Sequence, residues 1–212
     1  MARLIHLGFR FNPTPREVIT HHLPRLIAGE PVHPAIRPFL HDADVYACEP
    51  GVLAARFRAT PSKARGERFF FFTTRKSSSG AVRAAGPGSW HCSKGNATDV
   101  RDGAGVKVGE VRRLRYKKGG AFTDWLMDEF SCCSEPDAVV GDSQRVLCKI
   151  YVSPRAAPDS AARREAAAAV FAPSEPIAPP STTCPGTTPL RASAVRQDLN
   201  GGASIMLAGC ST

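Results

Sequence analysis

The stretch VGEVRRLRYKKGGAFTDWLMDEF, residues 108–130, places two strand-forming segments, Val111 to Tyr116 and Trp125 to Phe130, on either side of a turn-rich Lys118 to Gly120. Arg145 to Tyr151 is a further short segment of strand formers, and Val106 and Val108 alternate with Lys107 and Gly109. Phe69 to Phe72 is a continuous apolar run of the buried-strand type. Turn-rich stretches separate these segments at Ser77 to Gly80, Gly86 to Gly88 and Asp102 to Gly105. This order fits a mainly β, α+β fold: a twisted antiparallel sheet flanked by short helices, with basic side chains on its rim loops.

The one strong helix start is Thr14, read as an N-cap with Pro15 at the first helical position and Glu17 completing a capping box. The helix is expected to run through Val18, Ile19 and His22 until Pro24 disrupts it. A second short helix is expected from Asp42 or Pro50. From Pro154 the composition turns to Ala, Pro, Ser and Thr with almost no aromatic residues, which predicts a disordered tail over 154–212 after a domain spanning 1–153. Within that tail Ala161 to Phe171 holds good helix formers, marginal in isolation at that length and able to fold on a partner.

The 212 residues carry 28 Lys and Arg against 19 Asp and Glu, a formal charge of +9, so the default partner is a polyanion or an anionic surface. No apolar run approaches the roughly 20 residues that span a bilayer. Arg3, His6 and Arg10 interrupt any signal-peptide core, so the expectation is a soluble intracellular protein without a membrane partner. Cysteines 48, 92, 132, 133, 148, 184 and 210 are odd in number and lack CxxC pairing, which argues for free structural thiols and no metal site. The densest basic stretch, Arg112, Arg113, Arg115, Lys117 and Lys118, reads either as a solvated strand face or as a phosphate-binding edge or nuclear-import signal.

Five blocks in order resemble the subdomains of the plant NAC family of transcription factors. LGFRFNPTPREVITHHL, residues 7–23, is similar to the family's opening PPGFRFxPTDEEL, the most specific of the five. DADVYACEPGVL, residues 42–53, resembles DLYKxxPWxLP, and RFFFFTTRKSSSGAVRAAGPGSWHCSKG, residues 68–95, resembles the block ending in GYWKATG. Residues 108–130 end in a relative of KTDWxMHEY, and RVLCKIY, residues 145–151, is close to WVLCRIY. Their order and spacing across the first two-thirds of the chain carry the resemblance.

The resemblance implies a nuclear, sequence-specific transcription regulator that dimerises through its N-terminal segment and sets one sheet edge in the major groove of double-stranded DNA. It implies an intersubunit ion pair between Arg10 and Glu17, flanked by Leu7 and Phe9. The alternative is that Arg10 and Glu17 support only their own subunit. On the DNA side the resemblance marks Arg83 as the key arginine, with Arg75, Lys76, His91, Ser93, Lys94, Arg112, Arg113, Lys117 and Lys118 completing the set. Departures from the pattern remove cations: Gly80 stands where a basic residue is usual, and Phe122 and His91 each replace a lysine. An imidazole near pH 7 holds phosphate less firmly than an ammonium, although Lys94 restores a charge in altered register.

Trp90, Trp125 and the Phe69 to Phe72 run are read as core before any base-stacking role. The one catalytic candidate is His91 beside Cys92, but strand neighbours point to opposite faces, so no enzyme activity, cofactor or small-molecule substrate is expected. The rival to direct DNA binding is a protein that dimerises with intact relatives, homotypic or heterotypic, and modulates them.

Overall fold

The computed structural model describes residues 11–60, 66–76, 82–92, 97–133 and 139–168. The chain enters through Pro15–Glu17 (α1), a π-helical turn Val18–His22, and Leu23–Ile27 (α2). A 3-10 turn at Arg37–Phe39 leads into strand β1, Leu40–Asp42, and helix α3 follows at Pro50–Arg56. The remaining strands are β2 Arg68–Lys76, β3 Val82–Ala85, β4 Gly88–Cys92, β5 Thr98–Arg101, β6 Lys107–Lys118, β7 Ala121–Cys132, β8 Val139–Val140 and β9 Ser143–Val152. Helix α4, Ala161–Ala168, closes the described chain.

One curled sheet contains all nine strands in the order β1-β2-β9-β7-β6-β4-β3, with β5 beside β6 and β8 beside β9. Every pairing is antiparallel except β1 with β2, so the expected antiparallel sheet is a mixed one by a single short edge strand. The β6–β7 hairpin turns through Gly119 and Gly120, both at positive φ (57° and 81°), as the type I′ turns that match strand twist require.

Both faces of the sheet are covered over part of their area, which is why β2 reads as a continuous apolar run. Phe69 and Phe71 join Trp90, Leu114, Tyr116, Trp125, Met127 and Ile150 under Val45, Leu53 and Ala54. Phe70 points the other way, to Val111, Phe130 and Leu147, beneath Phe11, Val18, Ile19, Leu23 and Ile27 of the N-terminal segment. Each fully buried Phe contributes about 1.5–3 kcal/mol. The core reading of Trp90, Trp125 and the Phe run holds, with Phe72 only half-buried.

The capping box forms: the Thr14 hydroxyl accepts from Glu17 N–H, and the Glu17 carboxylate accepts from Thr14 N–H at 2.7 Å. The helix does not stop at Pro24. Leu23 N–H bonds back five residues to the Val18 carbonyl, and this wider turn brings Pro24 to the start of the next α-helical register, where a missing N–H costs little. The second helix starts at Pro50 rather than Asp42.

Helix α4 lies beyond the expected boundary at residue 153 and packs on the sheet. Helix α4 buries Ala162 and Ala166 in the same cluster as Trp125, and Trp125 donates its indole N–H to Glu165 at 2.8 Å. A Cβ on Gly51 would lie 2.6 Å from that Glu165 carboxylate, so a glycine in α3 allows the approach. An alanine-rich segment that looks unable to form a core of its own instead completes one built by others.

Candidate nucleic-acid interface

The face that carries Phe70, Val111 and Phe130 is covered at one end by the N-terminal helices and open at the other. The strand register defines a row across the open end: Arg68 opposite Tyr151, Tyr151 opposite Leu126, Leu126 opposite Arg115, Arg115 opposite His91, and His91 opposite Val82. None of these six side chains is buried. Two residues along β6 from Arg115, on the same face, Arg113 has its side chain 66% exposed.

Charge on this face is unbalanced toward the positive. Asp128 is neutralised by Lys149 at 2.6 Å and accepts from the Tyr151 hydroxyl at 3.2 Å, while Arg113 stands 3.9 Å off. Burial, then the negative charge of Asp128 and the bond to it, push the Tyr151 phenol well above its ordinary value, so it stays a donor. Arg115 is oriented by a 2.7 Å bond from its Nε to the Thr123 carbonyl, and its half-exposed side chain holds Nη2 3.9 Å from the Asp124 carboxylate.

At the β4 end a small cluster gathers around Phe122, a large apolar side chain 52% exposed. The Arg115 guanidinium and Lys117 ammonium lie 5.5 and 5.6 Å from its ring centroid, and the His91 ring meets it edge-on at 5.7 Å. His91 is also in hydrogen-bond contact with Ser89 at 2.9 Å. A Cβ on Gly88 would collide with the Lys117 carbonyl and lie 2.6 Å from Tyr116 Oη, so this glycine allows β4 to seat against β6.

The sequence-derived set divides on this geometry. His91, Arg113 and Lys117 come together on the open face. Arg115, part of the basic stretch but left out of the DNA-binding set, joins them, and its alternation with Leu114 and Tyr116 was the available signal. Phe122, which the resemblance marks as a missing cation, becomes the centre of the cluster.

Arg83 and Arg75 are not on the open face. Both lie inside, at 3% and 7% side-chain exposure, and share Glu129 Oε1 at 3.1 and 2.7 Å. Tyr46 donates to Oε2 of the same carboxylate at 2.6 Å, and Arg75 also reaches Gln144. Among the described residues, the buried Nε atoms of both arginines and Nη1 of Arg83 meet no hydrogen-bond partner, a desolvation cost opposed by the attraction of the shared carboxylate. Arg83, expected as the key DNA-binding arginine, is thus placed against Glu129 inside the fold.

Lys76 pairs in register with Ser143 at the other end of β2, about 26 Å from the Arg68 row at strand rise. Arg112 is engaged by Glu110 at 3.1 Å, beside an acid-base lattice of Asp99, Arg101 and Lys107. Lys118 is held by Glu49 at 2.6 Å, which raises its pKa above the ordinary value. Ser93, Lys94 and Gly80 lie outside the described residues, as do Leu7, Phe9 and Arg10. Glu17 is described, exposed, and bonded to Thr14 through Oε2 alone.

His91 and Cys92 stand opposite Arg115 and Leu114, one on the open face and one toward the core, so imidazole and thiol do not face each other. Among the described residues no group of three or more His, Cys, Asp or Glu side chains is placed to hold a metal ion, and no helix is long and apolar enough to cross a membrane.

Comparison with known proteins supplies the context for this face. The family model described as No apical meristem (NAM) protein matches residues 6–132. The chain is similar to NAC domain-containing protein 83 of Arabidopsis thaliana, with 31% identity over 157 residues, 70% of this chain and 58% of that protein. It is also similar to NAC domain-containing protein 68 of Oryza sativa subsp. japonica, at 32% identity over 68% of this chain and 47% of that one. NAC domain-containing protein JA2L of Solanum lycopersicum matches at 34% identity over 68% of this chain and 40% of its own length. The chain thus spans about half the length of these relatives.

Proposed function

Since the chain belongs to the plant NAC family, we propose that it is a nuclear transcription regulator that docks the open, cationic end of its sheet on double-stranded DNA. The observation that carries this reading is the convergence of Arg115, Lys117 and His91 around Phe122, with the exposed Arg113 two residues further along the same face of the strand. Cations spaced along a rigid strand match a phosphate chain, and the strand pleat sets alternate side chains toward it. Arg113 and Arg115 are two residues apart on one strand and therefore point the same way.

Dimerisation through the N-terminal segment belongs to the same proposal. The exposed Glu17 uses Oε2 for its own cap, and its carboxylate suits Arg10 of a second copy, with Leu7 and Phe9 beside it. In a two-fold interface that contact is made twice. Charge reversal of either Arg10 or Glu17 disrupts the dimer, and the double reversal restores it; sedimentation of the three variants checks this, and unchanged dimers in the single variants would remove the pair from the interface.

The test of DNA binding is selection from a random-sequence duplex pool, followed by affinity measurement of the enriched duplex over a range of salt. An enriched motif with a steep salt dependence is expected. Failure to enrich any motif would turn the reading toward a dimerising modulator of intact relatives.

A further inference from the structure

We propose that Phe122 reads the C5 methyl group of thymine in the major groove, so that this chain prefers a thymine where its docking face meets the bases. The inference rests on the DNA reading above and deepens it. It starts from a cost: a phenylalanine 52% exposed at the first turn of a strand hydrates an apolar ring that the fold does not need for its core.

The ring is nevertheless held in place. The Gly119–Gly120 turn fixes the backbone at the mouth of the β6–β7 hairpin, and Lys117 stands directly opposite Phe122 in register. Two cations lie within 5.6 Å of the ring centroid, and the His91 edge closes a further side at 86°. The Arg115 contact is itself anchored through Thr123 O, so the aromatic and its cations form one preorganised unit. Preorganisation lowers the ordering cost of docking.

The chemistry selects the ligand. Arg115 and Lys117 supply the charge that a phosphate chain attracts, and Phe122 supplies an apolar surface between them with no hydrogen-bonding atom of its own. Among the groups that base edges present, only the thymine methyl is apolar, and it lies in the major groove. A lysine at this position would instead seek an acceptor, either phosphate or a guanine edge. Replacing it by phenylalanine therefore changes which base is favoured while Lys117 and Arg115 still provide attraction.

The enriched duplex from the random pool is synthesised with thymine or with deoxyuridine, which removes the methyl and leaves every hydrogen-bonding atom, and both are titrated with wild-type protein, Phe122→Ala and Phe122→Lys. The wild type is expected to bind the thymine duplex about fourfold more tightly, the contribution of one buried methyl. Both variants, altered at an exposed ring, lose that ratio while keeping the wild-type thermal midpoint. Equal binding of the two duplexes by wild type, or a ratio retained in Phe122→Lys, overturns the inference and leaves the DNA reading intact. Absence of salt-dependent binding to either duplex overturns both.

Discussion

Arg83 and Glu129, 46 positions apart in the chain, meet at 3.1 Å with both side chains almost fully excluded from solvent. A cation so placed is engaged within the protein and turned away from solvent. Arg83→Ala is therefore expected to act on stability: removing one partner of a buried pair costs about 3–5 kcal/mol and leaves Glu129 with Arg75 and Tyr46 alone. Denaturant unfolding monitored beside DNA affinity checks this. A wild-type unfolding midpoint together with abolished DNA binding would return Arg83 to the DNA surface.

The Trp125–Glu165 bond predicts that the domain extends through α4. Glu165→Ala leaves a buried indole N–H without its acceptor, and the expected loss is about 1–3 kcal/mol. Truncation before Ala161 is expected to cost more, because Ala162 and Ala166 also leave the core. Trp fluorescence during urea unfolding reports both changes; identical curves for the full chain and the truncation would show that α4 adds nothing to the domain.

Legibility in the sequence follows the range of the interactions. The Thr14–Glu17 box spans three residues and is readable outright, as are the strands on either side of Gly119–Gly120. Pro24 misleads because propensity describes an α-helix, whereas the π-helical turn shifts the hydrogen-bond register just ahead of it. Arginine as a residue type indicates surface, and nothing local to Arg75 or Arg83 reveals that the sheet brings Glu129 between them. The place of Phe122 is hidden for the same reason, since its cations come from β6 and its third neighbour from β4.

The N-terminal cap makes stability depend on pH in a defined direction. Hydrogen bonds from the Thr14 backbone and hydroxyl hold the Glu17 carboxyl below the usual carboxylate range. A folded-state value below the unfolded one means that the contribution is complete above the unfolded pKa and is lost as pH falls through the folded one. The stability gap between wild type and Glu17→Gln is thus expected to be constant near neutrality and to close in acid. Thr14→Ala is expected to cost about 1 kcal/mol at neutral pH. Thermal unfolding of the three proteins over a pH series tests this, and a gap that widens in acid would refute the assignment.

Salt titration separates the cations that meet DNA from those already engaged within the protein. Removing one cation that neutralises a phosphate is expected to lower the slope of log affinity against log salt by about 0.9. Arg113, with its side chain mostly exposed and its Nε 3.9 Å from Asp128, should show close to the full change as Arg113→Ala. Lys117→Ala should behave similarly, since its ammonium lies over Phe122 on the open face. Lys118 differs because Glu49 holds it at 2.6 Å, so binding phosphate requires breaking that pair, and Lys118→Ala should change the slope by clearly less. Arg113→Ala and Lys118→Ala should leave the preference for thymine over deoxyuridine near its wild-type value, because they remove charge away from the Phe122 ring. A slope that falls most for Lys118→Ala would place the DNA at the Glu49 side of the hairpin instead of on the open face.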